Sequence, residues 1–326
     1  MRARRHAVVP FLLALALSIA SLHAHAAGID PARITEASGA PARMQPDGVV
    51  RIGWSRDDVP VTVDGLRLPP AAGLGSWAAF MPMGDEAMVM GDTVVFEDEV
   101  DAAMDAAFAA GLDVTGLHNH FFYDTPKVYF MHIGGRGDPA VLARGVKAVW
   151  DAIRAVRARS ASPATGFGGP TPVVGTLDAT AISDAIGHAA EVNGDVAKVT
   201  IGREGRMHGH VVGASMGLTT WAAFTGSDRL AAIDGDFIMS ADEVQPVLRA
   251  MRRAGLHVVA LHNHMVGEQP AFYFVHFWGK GPALDLARAF RRVLDAQHLA
   301  AGRHDDRGDG DSGPDDSAGG HRRPAP

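Results

Sequence analysis

Three histidines and an acid recur in register in the two halves of the chain. Leu117-His118-Asn119-His120 returns as Leu261-His262-Asn263-His264, 144 residues later. At the same spacing Asp124 meets Glu268, Pro126 meets Pro270, Tyr129-Phe130 meets Tyr273-Phe274, and His132 meets His276. Imidazoles fill a core poorly. Three imidazole nitrogens with open positions beside them suit a divalent transition metal, zinc first. The expected metal ligands are His118, His120 and His132 in the first copy and His262, His264 and His276 in the second. Asp124 and Glu268, in the loops that follow, are the candidate catalytic residues, as a general base, a fourth ligand or an acceptor behind a ligand. The residues between these positions differ (Phe121, Phe122, Tyr123 against Met265, Val266, Gly267), while all three histidines stay the same.

Such a site needs strands. Successive strand side chains alternate faces, so His118 and His120 point the same way. A hairpin through residues 122–127, with Asp124 and Pro126 as turn formers, is centred on Thr125. It sets His118 directly opposite His132, with His120 diagonally beside it on one face. The same construction about Gln269 pairs His262 with His276.

The surrounding pattern supplies the rest of the fold. Alternating runs at 49–54 and 59–63, then 77–81 and 87–90, read as strands. A helix is expected over 98–110, acidic in its first turn and ended by Gly111. In the second copy Ser240-x-x-Glu243 reads as a capping box, with Pro246 in or near the first turn. Asp138-Pro139 is an N-cap followed by proline at the first helical position, opening a helix to about residue 156. Its apolar residues Leu142, Val146, Val149, Trp150 and Ile153 keep helical spacing. The expected class is α+β, in two homologous repeats, each a largely antiparallel sheet with two helices on one face.

The repeat is long. Trp77-Ala-Ala-Phe80 matches Trp221-Ala-Ala-Phe224, Gly91-Asp92 matches Gly235-Asp236, and Asp98-Glu99 matches Asp242-Glu243. A period of this length means a duplicated domain. Basic residues Arg2, Arg4 and Arg5, an apolar run over 8–19 and Ala24-His25-Ala26 read as a signal peptide, hence export to the periplasm or beyond. The expected organisation is a leader over 1–26, repeat one over 27–158, a linker over 159–174, repeat two over 175–300, and a polar tail over 301–326 too poor in apolar residues to order itself.

Cysteine is absent from all 326 residues. Thiolate chemistry, cysteine-type zinc sites and a lipidated cysteine are thereby excluded. The formal charge is −7, and without the three leader arginines nearer −10. A chain of that charge repels phosphate backbones, so nucleic acid is not an expected partner, and no membrane span is expected after cleavage. No His-Glu-x-x-His helix occurs. His208-x-His210 has no counterpart in the first copy.

The stretch around Trp77-Ala-Ala-Phe80, the Leu-His-Asn-His line, the Tyr-Phe-x-His-x-x-Gly line and Ser55-Arg56-Asp57-Asp58-Val59 together resemble the LppY/LpqO family of exported bacterial proteins. The resemblance runs over residues 30–298. It implies a duplicated domain and export, and it implies no activity. The residues themselves suggest a metal-binding protein, either a metal-dependent hydrolase or lyase or a non-catalytic carrier of metal or of a small-molecule ligand. Hydrogen-bonded histidine packing between the repeats is the structural alternative.

Overall fold

The computed structural model describes residues 28–305. The expected leader and nearly all of the expected tail lie outside the described residues.

Repeat one opens with α1 (Pro31–Ser38), capped by the Asp30 carboxylate, which accepts from Ala32 N at 2.9 Å. Strands β1 (Arg43–Met44), β2 (Val50–Ser55), β3 (Thr62–Val63), β4 (Leu66–Arg67), β5 (Gly75–Met83) and β6 (Glu86–Phe96) follow. Then come α2 (Val100–Ala109), β7 (Asp113–Asn119), β8 (Asp124–Thr125), β9 (Val128–Gly137) and α3 (Pro139–Arg159). Asp138 caps α3 as its sequence implies, accepting from Val141 N at 2.9 Å with Pro139 in the first turn. Repeat two runs α4 (Ala179–Ile186), β10 (Ala190–Asn193), β11 (Val196–Gly202), β12 (Gly205–Met207), β13 (His210–Val212), β14 (Thr219–Ser227) and β15 (Leu230–Met239). It closes with α5 (Val244–Arg253), β16 (His257–His262), β17 (Tyr273–Gly281) and α6 (Ala283–Asp305). Pro246 sits in the first turn of α5, where its missing N–H costs nothing. The α+β class and the antiparallel sheet stand as expected. The short helices α1 and α4 were not anticipated.

The two repeats share a single sheet. Its twelve strands run β1-β2-β5-β6-β9-β7-β16-β17-β15-β14-β11-β10, so the histidine strands β7 and β16 meet at the centre. They join antiparallel at Leu117 and Leu261. Side chains from repeat two reinforce the seam. Gln245 exchanges two hydrogen bonds with the main chain of Val114, at 2.8 and 3.1 Å, and Arg249 donates to the carbonyls of Phe108 and Leu112.

One face of the sheet is packed under the helices. Leu117, Met131, Ile133, Leu261, Val275 and Phe277 face Val146, Trp150 and Phe290 in a common core. Tyr129 and Tyr273 pack against it too, on the side away from the histidines. The histidines therefore point to the opposite face, which no α-helix among the described residues covers. At one end of that face the small sheet β4-β3-β8 encloses a second core of Val59, Val61, Leu74, Phe96 and Phe130.

The hairpin register differs from expectation by two residues. His118 lies opposite Phe130, not His132, and His132 lies opposite Gly116. In the second copy His262 lies opposite Phe274 and His276 opposite Ala260. The connecting loop is not a tight turn: Asp124–Thr125 leaves to pair with Thr62–Val63. A bulge between Val114 and Gly116 shifts the pairing further along. A slip of two preserves which face each side chain takes, whereas a slip of one would have buried the imidazoles.

Gly91 and Gly235 let neighbouring strands close up. A Cβ at Gly91 would lie 2.9 Å from the Trp77 carbonyl oxygen, and one at Gly235 would run into the Trp221 carbonyl oxygen and the Phe277 ring. We expect Gly235→Ala to destabilise the protein by about 1–3 kcal/mol or more, because backbone must move. Urea unfolding would measure it, and an unchanged midpoint would show that the strands can part freely.

Candidate metal centre

In repeat two β16 delivers His262, and His264 follows two residues later on the same face. His276 comes from β17. The fourth member is Asp236 of β15, paired in register with His276 across the β15–β17 ladder. One ligand atom from each of Asp236, His262, His264 and His276 falls in a group whose members all lie within 4.8 Å of one another. Asp236 Oδ2 is 3.1 Å from His264 Nε2, and its Oδ1 is 4.0 Å from His276 Nδ1. The His262 ring is 5.1 Å from that of His264 and 4.8 Å from that of His276, centre to centre.

Local structure aims the rings. Asn263 donates its side-chain N–H to the Met265 carbonyl at 2.7 Å, turning the chain at the end of β16. His264 then folds back onto Phe274, ring centres 3.5 Å apart and nearly parallel. His262 Nδ1 can donate to the Asn263 carbonyl at 3.2 Å and His276 Nδ1 to the Gly235 carbonyl at 3.3 Å. Those bonds fix the tautomer that leaves each Nε2 lone pair free, as a metal ligand requires.

The electrostatics suit a cation. Asp236 is 3% exposed, and its Oδ1 is buried with no hydrogen-bond partner. A carboxylate oxygen in that position is costly unless a positive charge answers it. Burial pushes the Asp236 carboxyl above its ordinary range and holds the His264 imidazole below its own. His276 and His264 keep side-chain exposures of 42% and 32%, so the group opens to solvent on the uncovered face.

Repeat one has the same parts with the rings placed much alike, His118 lying 5.1 Å from His120 and 5.0 Å from His132, centre to centre. Asp92 of β6 pairs in register with His132 and also carries a buried Oδ1 without a hydrogen-bond partner. His118 Nε2 and His132 Nε2, however, lie 2.8 Å apart and share a hydrogen bond. His120 is stacked on Phe130 at 3.3 Å, and burial lowers its pKa. Among the described residues these four do not form a group as tight as that of repeat two.

The two loop acids are hydrogen-bonded within their own loops. The Asp124 carboxylate accepts from Val128 N at 2.7 Å and from Lys127 Nζ at 3.0 Å. Glu268 accepts from Phe272 N at 2.9 Å and is 6% exposed. Both carboxylates close their own loops, and the acid standing with the histidines comes from a strand far away in sequence. The repeated Gly-Asp pair, Gly91-Asp92 and Gly235-Asp236, was the signal that could have found it. The glycine admits the close strand contact and the next residue faces the histidines.

No curated protein matches this chain. Three solved structures align loosely with it. They are the trimeric bacterial microcompartment shell protein PduB (12% identity, 82% of this chain and 93% of that one, TM-score 0.18) and EutL from Clostridium perfringens (12%, 67% and 81%, 0.17). The third is the double-ringed trimeric shell protein MSM0271 of the RMM microcompartment (13%, 67% and 84%, 0.19). Superpositions this poor carry no statement about this chain. The family model described as Domain of Unknown Function (DUF1259) matches residues 32–152 and again residues 180–296. Those matches cover both repeats and most of the chain, which therefore belongs to the DUF1259 family and carries its domain twice.

Proposed function

We propose that this chain is an exported metal-binding protein of the LppY/LpqO type. Its second repeat holds a divalent transition metal, zinc by preference, through Asp236, His262, His264 and His276, and it works as a metal-dependent hydrolase or lyase. The observation that carries the reading is the buried, unpartnered Asp236 Oδ1 turned toward three imidazoles. Three neutral nitrogens and one carboxylate are a donor set for first-row divalent ions. Bound there, the ion would acidify a water or polarise a carbonyl. The protein's part is to hold the imidazole tautomers through Asn263 and Gly235, to supply the one negative charge, and to leave the uncovered face open to a substrate. His118, His120, His132 and Asp92 form a second, looser site in this reading.

A non-catalytic carrier is the second reading. What favours it is that Asp124 and Glu268, the acids expected to move protons, are committed to main-chain N–H groups, while four protein donors already complete a tetrahedral zinc shell.

Elemental analysis of the purified mature protein after dialysis against zinc tests the site. One tightly held ion per chain, retained on gel filtration, is expected; a folded protein that retains none would overturn the proposal. Cobalt substitution separates the two readings. A visible spectrum that shifts on adding a small anion means an exchangeable position and supports the enzyme, and an unresponsive tetrahedral spectrum supports the carrier.

A further inference from the structure

Repeat one carries four methionines on one face of the β5–β6 ladder. Met81 and Met88 are direct cross-strand partners, Met90 is opposite Ala79, and Met83 is opposite Glu86. In both strands the neighbouring residues Phe80, Ala87 and Val89 are buried in the core under the helices. The methionines therefore lie on the uncovered face, the face of the histidines. Met81, Met83 and Met90 are 40%, 37% and 58% exposed, and Met88 is half-buried. Methionine is ordinarily an interior residue, so this exposure asks for a cause.

Packing does not supply one. The strand beside Met90 presents Gly134, which has no side chain to cover it. The equivalent positions of repeat two are Thr225, Ser227, Ala232 and Asp234, so the duplicated scaffold folds without thioethers there. Chemistry does supply one. The two strands read Met-x-Met and Met-x-Met, and alternation puts all four side chains on one face. Direct partners have Cβ atoms about 5 Å apart and diagonal ones about 7–8 Å, so Met81, its partner Met88 and the diagonal Met90 can converge their sulfurs on one point, while Met83, four residues from Met90 along the ladder, stands at the edge of the group. Thioethers are soft donors that select soft monovalent ions over zinc.

We propose that Met81, Met88 and Met90, with Met83 at the edge, form a binding site for a soft monovalent cation, Cu(I) or its redox-inert analogue Ag(I). The site is separate from the histidine group of repeat two and stands whether or not that group binds metal. Asp92, two residues beyond Met90 on the same strand and face, places the anionic acid of repeat one next to it.

A neutral thioether has no proton to lose, so its ion should stay bound in acid, whereas imidazoles release theirs on protonation. The test titrates full-length mature protein, labelled with 13C at the methionine ε-methyls, with silver nitrate and, under reductant, with Cu(I) against a chromophoric competitor, at pH 7 and pH 4. The ε-methyl resonances of Met81, Met88 and Met90 are expected to move together, and a single ion is expected to persist at the lower pH. The quadruple Met→Leu variant keeps volume and fold, and it should lose that ion while keeping any zinc held by repeat two. The variant His262→Ala/His264→Ala should do the reverse. Retention of Cu(I) and Ag(I) by the leucine variant, release at pH 4, or methyl shifts outside these four residues would each overturn the proposal.

Discussion

Asp236→Ala should lower zinc affinity at the repeat-two site by about 100-fold or more. Outer partners of metal ligands alone are worth 10–100-fold, and Asp236 is the only charged donor in its group. A competitive titration with a chromophoric chelator measures the change. Asp92→Ala, on the other half of the sheet, should leave that affinity where it was. Stability should move the opposite way. Without metal, the Asp236 carboxylate is buried with one oxygen unanswered, a cost the folded state bears and the unfolded chain does not. Asp236→Asn should therefore melt at or above the temperature of the wild type in excess chelator. Metal-loaded wild type should melt above both, since a ligand at 1,000 times its Kd adds about 4 kcal/mol. A chelator-treated variant that melts well below wild type would assign Asp236 to the fold and not to a site.

The sequence was most legible where structure is local. Asp138-Pro139 starts a helix because a side-chain acceptor and a missing N–H suit that position and no other. Alternation put His118, His120 and His132 on one face, and they are on one face. Register was less legible, because it depends on a loop that leaves to pair with β3 and on a bulge at Thr115 that composition does not announce. The acid of the site was illegible from spacing. Asp236 reaches His276 only through the β15–β17 ladder, a contact forty residues long in sequence, whereas Glu268 was near in the chain and proved to be tied to Phe272. Nor does the repeat announce that its two copies would fuse edge to edge. β7 and β16 look like ordinary strands, and their joining settles that both histidine groups share one open face.

The strands that carry the two acids are held in place by buried charge, and this leads to the second large effect. Arg56 donates to Glu99 at 2.8 and 2.9 Å, to Asp58 at 2.8 and 3.0 Å, and to the Val94 carbonyl at 3.0 Å. Val94 is two residues past Asp92 on β6. In repeat two Arg203 pairs with Glu243, and Gln297 donates both to Glu243 at 3.0 Å and to the Ile238 carbonyl at 2.8 Å. Ile238 is likewise two residues past Asp236. Each repeat thus clamps the carbonyl next along the face from its acid, one with a guanidinium and the other with an amide. The clamps differ in depth: Arg56 and Glu99 have no exposed side-chain surface, whereas Arg203 is 30% exposed. Arg56→Met strands the Glu99 carboxylate with only Arg157 and the Phe96 N–H, and should cost about 3–5 kcal/mol, the usual penalty for halving a buried pair. Arg203→Met should cost less, because water reaches that guanidinium and offsets part of its loss. Urea midpoints give the comparison, with a fall of about 1–2 M expected for Arg56→Met. Adding Glu99→Leu to Arg56→Met should recover part of that loss, since the stranded charge goes with it. Equal and small effects at Arg56 and Arg203 would mean that core packing alone positions β6 and β15, and that the buried charges do not hold the acids in register with the histidines.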